Sequence, residues 1–200
     1  MLYLRGTLPL VLAIPVSMAN AQSTAEEDAA YAVRVYEQEL TKSRRLSAQG
    51  VVSDDALDNL RLRLNYAQTQ YAIAIGSSQK VLGKLVSDRV QISQRRLDRA
   101  ERLAGKGVVT VTALEIVRHD HRETLIALSQ HQGNHLEIVR LLKEQVAGAQ
   151  KHLERSQKLV QRRIVPAVEL AAERLHLAEL KNRLEAAIRN TVEELPPNTI

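Results

Sequence analysis

The sequence predicts an all-α protein, an elongated antiparallel coiled coil of tandem helical hairpins with tight turns near residues 50, 107 and 163. Three observations carry that expectation. One segment recurs at a spacing near 57 residues, apolar residues between the recurrences fall three and four apart, and no stretch alternates with the two-residue period of a strand. Composition agrees, since the 200 residues contain no Phe and no Trp. Such aromatic poverty argues against a membrane barrel with aromatic girdles and against base-stacking platforms for nucleic acid.

The N-terminus decides the expected compartment. Residues 1–21 carry a single cation at Arg5, a short apolar run from Leu8 to Val16 interrupted by Pro9 and Pro15, and small residues at Ala19 and Ala21. That order is the layout of a secretory signal peptide, and the apolar run is far shorter than the roughly 20 residues of a bilayer-spanning helix. Cleavage after Ala21 leaves a mature chain from Gln22 in the periplasm, one domain by the usual size prior. The chain has no Cys, which predicts no lipid-anchored cysteine, no disulfide framework and no thiolate metal site. Without Arg5 the basic residues number 27 against 23 acidic ones with the signs interspersed, a solvated helical surface rather than a nucleic-acid patch.

The recurrence is visible in three segments: Arg45 to Ser53, Arg102 to Thr110, and Lys158 to Pro166. It continues through Leu57, Leu114 and Leu170, and through Arg61, Arg118 and Arg174. The single domain 22–200 thus divides into repeats of about 22–76, 77–133 and 134–190, each read as helix, turn, helix. Gly50 and Gly107 stand where a helix C-cap favours a left-handed backbone. Ser53 caps the helix that follows, with Asp54 and Asp55 near its positive end. Thr110 or Thr112 does so in the second repeat, where Thr112 and Glu115 have capping-box spacing. Pro166 suits the first turn of the last helix.

Between the turns the apolar stripe runs through Leu57, Leu60, Leu64, Ala67, Tyr71 and Ala74. It resumes as Leu82, Val86, Val90, Ser93, Leu97, Ala100 and Ala104, and again from Val139 through Leu142, Val146, Ala149, Leu153 and Ser156 to Val160. A stripe this narrow fits coiled-coil pairs. Gly76-Ser77-Ser78 and Gly133-Asn134 fall at equivalent offsets between the tips. As turns they give hairpins of helices about 25 residues long; as tolerated defects they leave two helices of roughly 78 Å. The repeated Gly with a capping residue favours turns, whereas the seam through Leu128, His135 and Val139 runs on without a phase break and favours long helices.

The tips also carry a spaced triplet. Arg99, Leu103 and Thr110 are matched by Lys42, Leu46 and Ser53, and by Arg155, Leu159 and Pro166. This spacing, and the stretch Gly50 to Asp58, resemble the α-helical hairpin tip of periplasmic adaptor (membrane fusion) proteins, which meets the helical tips of TolC-type outer-membrane channels. The resemblance covers the three tips and about twenty residues around each; nothing here matches the strand-built domains of those adaptors. It implies a protein partner, namely the channel or adaptor helices of a tripartite efflux or type I secretion assembly. It implies no nucleic acid and no small-molecule substrate of the chain's own.

The triplet has a physical reading beside the resemblance. Arg99 and Leu103 share a helix face, and the Thr110 hydroxyl returns at the start of the partner helix. Together they form a cation, an apolar knob and a hydroxyl suited to gripping a helix turn. The plainer reading makes the Leu a last core layer, the Ser or Thr a cap, and the Arg a helix-dipole partner. Catalytic motifs are missing: no phosphate loop, nucleophile elbow or zincin pattern occurs. Of six histidines, His131 and His135 have a two-ligand spacing without a third ligand, His119 and His121 point to different faces, and His152 and His176 stand apart. The sequence therefore predicts no enzyme, metal or cofactor. Two other classes fit the same features: a self-associating coiled-coil spacer of the cell envelope, and a histidine-based metal-binding envelope protein.

Overall fold

A computed structural model describes residues 16–164 and 166–193, with backbone alone for 16–23, 169, 192 and 193. Six helices make up the described residues, and none of these residues lies in a strand. They are α1 (Val16–Ala48), α2 (Asp54–Ala74), α3 (Gln79–Gly105), α4 (Val111–His131), α5 (His135–Gln161) and α6 (Glu169–Glu193). Of the expected signal peptide, residues 1–15 lie outside the described residues, and Val16 to Ala21 begin α1. Helices α2 and α4 each have 21 residues, and α3 and α5 each have 27.

Each link between helices follows from a left-handed residue and a cap. Gly50, Gly76, Gly107 and Gly133 have φ between 64° and 75°. After α1 the Gly50 amide donates to the Ser47 carbonyl and the Val51 amide to the Leu46 carbonyl. The same pair of bonds recurs at residues 103–108, 159–164, 72–77 and 129–134. These are Schellman closures, which satisfy the last carbonyls of each helix. In the third tip Arg163 takes the glycine's place at φ 57°, a conformation that costs a side-chain-bearing residue about 1–2 kcal/mol.

At three of the links a side chain then starts the next helix, whereas Ser78 ahead of α3 makes no such bond. Ser53 Oγ accepts from the Ala56 amide at 3.2 Å, Thr110 Oγ1 from Ala113 at 3.2 Å and Asn134 Oδ1 from Glu137 at 3.2 Å. Thr110 rather than Thr112 is the cap of α4, and Glu115 serves Arg118 instead at 2.9 Å. Pro166 corrects the sequence reading. The helix α6 begins at Glu169, so Pro166 stands ahead of the first turn, in a segment where the Leu170 and Ala171 amides reach back to Ala167 and Val168.

Consecutive helices run in opposite directions. Asn65 of α2 meets Leu85 and Arg89 of α3, while Asp58, seven residues earlier, meets Arg99, ten residues later than Arg89. Among the described residues only consecutive helices bring Cα atoms within 8 Å of each other. The array of described helices is therefore open.

Because α2 to α5 each have two neighbours, one stripe cannot fill both contacts. The apolar stripe supplies Leu57, Ala67, Val86, Ala100, Leu142 and Leu153. A second stripe is buried beside it and is partly polar: Asp58, Asn65, Thr69, His121, Ser129 and Gln145 are all less than a tenth exposed. All of these but Ser129 make cross-helix bonds. Asn65 donates to the Leu85 carbonyl at 2.8 Å, and Arg89 donates to both Asn65 Oδ1 and Thr69 Oγ1. The densest apolar cluster, Ile126, Ile138, Leu141 and Leu142, lies at the α4–α5 link with Leu184 and Ala187 of α6 against it.

Candidate functional site

Alternating helix directions put the α1–α2, α3–α4 and α5–α6 links at one end of the array, so the three triplet-bearing tips share that end. The triplet residues do unlike work there. Leu46, Leu103 and Leu159 are each half-buried, and each gives its carbonyl to the tip closure. Ser53 and Thr110 are exposed caps, and Pro166 is exposed.

The basic position differs most from repeat to repeat. Lys42 and Arg155 are exposed. Arg99 turns inward, and its Nη2 donates to Asp58 Oδ2 at 3.1 Å. Asp58 is 1% exposed and also takes Arg61 Nη1 at 2.7 Å. Two guanidinium groups from α2 and α3 thus neutralise one buried carboxylate. Arg118, the repeat partner of Arg61, reproduces the pattern nearer the surface with Glu115 and Glu101, both at 2.9 Å. Hydrogen bonds to Glu101 and Glu115 raise its pKa above the ordinary value.

The structure brings out three residues that the sequence reading did not single out. Val51, Val108 and Ile164 follow the left-handed residue of the three tips, and they are 68%, 69% and 64% exposed. Their amides close the helix, so the backbone is pinned while the aliphatic side chains project outward. The signal was present in the aligned segments as an apolar residue repeated directly after the left-handed position.

The histidines also move from their expected places. His131 ends α4 and His135 begins α5, so the four-residue spacing spans a link rather than one helical face. His121 is buried, with Nδ1 2.8 Å from Ser93 Oγ, which itself lies 2.8 Å from Thr124 Oγ1. Burial pushes the His121 pKa down, Asp98 pulls against it, and Arg122 adds a smaller lowering. The cluster is the polar centre of the α3·α4 contact. His119 and His176 stack edge to face with centroids 5.7 Å apart, and His152 Nδ1 lies 3.1 Å from Glu173 Oε1. Among the described residues no three His, Asp or Glu side chains form a group able to hold a metal ion.

No described helix is long and apolar enough to cross a membrane. No family model, curated protein or solved structure matches the chain.

Proposed function

We propose that this chain is an exported helical interaction protein, folded as tandem coiled-coil hairpins with tight turns, that docks by one end onto the helical turns of a protein partner. The partner is the outer-membrane channel or periplasmic adaptor of a tripartite efflux or type I secretion assembly, and the site of action is the periplasm. One observation carries the reading: three equivalent tips each expose an aliphatic residue, Val51, Val108 or Ile164, on a backbone locked by the same hydrogen bonds. A rigid turn loses little entropy on binding, and an exposed aliphatic group beside a half-buried leucine is a natural anchor for a pocket. The triplet's role changes within this reading. Arg99 supports its tip from inside, while Lys42 and Arg155 remain available to a partner's carbonyl or carboxylate groups.

The test uses the mature protein from Gln22 and a TolC-type channel or adaptor encoded in the same genome. Changing Val51, Val108 and Ile164 together to Asp leaves helicity and the melting temperature near those of the unmodified protein, because the three side chains bury little. Capture of the partner falls by at least about 30-fold if the tips supply even one anchor of about 2 kcal/mol. Unchanged capture by the triple variant, or no capture by the unmodified protein, rejects tip docking in favour of a self-associating spacer.

A further inference from the structure

The internal repeat makes one local difference conspicuous. In the first pair of repeats α3 lies between α2 and α4, and its Arg96 spans the gap above it, 3.4 Å from Asp55 and 3.9 Å from Asp120. Fifty-six residues on, the same floor of α5 carries Gly148 where α3 has Ile92, Ala149 for Ser93, and His152 for Arg96. The trimmed floor leaves a groove of about 550 Å³ between α4, α5 and α6, a volume within the range of sites for small organic ligands. Ile116, Ala149, Ala172 and Leu180 make its apolar surface.

Two residues that line this groove, Gln145 and Glu173, each carry a buried side-chain oxygen with no hydrogen-bond partner among the described residues. Gln145 is 2% exposed, and its Nε2 donates to Glu123 Oε1 at 2.8 Å, which leaves Oε1 as a buried, unsatisfied acceptor. Glu173 takes Ser156 Oγ at 2.8 Å and His152 Nδ1 at 3.1 Å on Oε1, while its buried Oε2 receives nothing. Both orphaned atoms are oxygens, so the missing group is a donor. Among the described residues no Lys or Arg pairs with Glu173, whereas the neighbouring carboxylate Glu123 is held by Arg183 at 2.9 Å. A half-buried carboxylate with one oxygen out of water and unserved by any donor is destabilised by its lost hydration, and a bound donor would relieve that.

We infer that this groove binds a small amphiphile with a primary ammonium head: the N–H donors meet Glu173 Oε2 and Gln145 Oε1, and the apolar tail lies along Ile116, Ala149 and Leu180. Of the cations that line the groove, Arg122 faces Glu144 at 3.9 Å, and Lys151 and Arg155 are exposed, where solvent screens their charge. The inference is independent of tip docking.

The probe is n-octylammonium at concentrations below micelle formation, compared with octan-1-ol and octanoate, followed by calorimetry and by the imidazole proton resonances of His119 and His176. The expected result is saturable one-to-one binding of the ammonium with shifts at both histidines, at least tenfold tighter than either comparison ligand. Glu173→Gln weakens it at least tenfold by removing the charge. Gly148→Leu does the same by refilling the floor, where a Cβ meets no atom within 4 Å, and its melting temperature is measured alongside to separate lost binding from lost folding. Equal binding of the alcohol, binding unaffected by both variants, or no ammonium binding overturns the proposal. So does zinc binding that depends on His119 and His176 and displaces the ammonium.

Discussion

Replacing Arg99 with alanine removes one of the two guanidinium groups that neutralise Asp58. The carboxylate is 1% exposed and cannot recover its hydration, while the remaining partner, Arg61, stands at 2.7 Å with its side chain 35% exposed. Orphaning a buried charge entirely costs about 3–5 kcal/mol; with Arg61 still in place the loss should be about 2–3 kcal/mol. Were Arg99 only a favourable charge near a helix C-terminus, the loss would be about 0.3–1 kcal/mol. Urea unfolding of Arg99→Ala, Asp58→Ala and the double variant separates the cases through their coupling energy. Coupling above about 1.5 kcal/mol is expected, since the pair shares a buried carboxylate. An Arg99→Ala variant that loses under about 0.5 kcal/mol, with no coupling to Asp58, would refute the inward role and return Arg99 to the docking surface.

Two further perturbations test the fold at other points. Burial holds the His121 pKa below its ordinary 6.5, so between that value and the native one the unfolded chain binds a proton that the native chain does not. Stability from this site is complete above about pH 7 and falls as acid carries the pH down through the window. In His121→Leu, which copies the repeat partners Leu64 and Leu177, the fall in urea midpoint between pH 7 and about 5 should shrink; an unchanged slope removes His121 from the account. Arg163→Gly should raise stability by about 1 kcal/mol in urea unfolding, by relieving a left-handed side-chain-bearing residue, and a lower midpoint would show that the Arg163 side chain matters more than its backbone.

Legibility tracked the physical range of each signal. The helices and their ends were readable because stripes, glycines and capping residues act within a few positions of themselves. The buried second stripe was not, because polarity in a sequence does not say which groups will find partners on another helix. Asp58 and Asn65 look like surface residues until Arg99 and Arg89, 41 and 24 residues away, are placed beside them. His121 failed for the same reason, its partner Ser93 being 28 residues earlier. Arg163 escaped because its left-handed backbone is imposed by the closure around it, where the other links use glycine. At the tips the leucines drew attention through hydrophobicity, although a half-buried leucine is as much a structural as a binding residue. The exposed valines and isoleucine were legible only in position, not in orientation.

The arrangement in which each helix touches mainly the next has a consequence for how the chain acquires and loses its shape. Contacts between near neighbours need only short loops to close, so assembly can begin at any helix pair and spread outward without a slow search for distant segments. Loss of order spreads the same way, beginning where a helix has a single neighbour. Since α1 rests on α2 alone while α4 to α6 share the Ile126–Leu142 cluster, the N-terminal helix should exchange its amide hydrogens well before the α4–α5 contact does. The molecule would then resemble a zipper with a loose upper end and a fastened lower one.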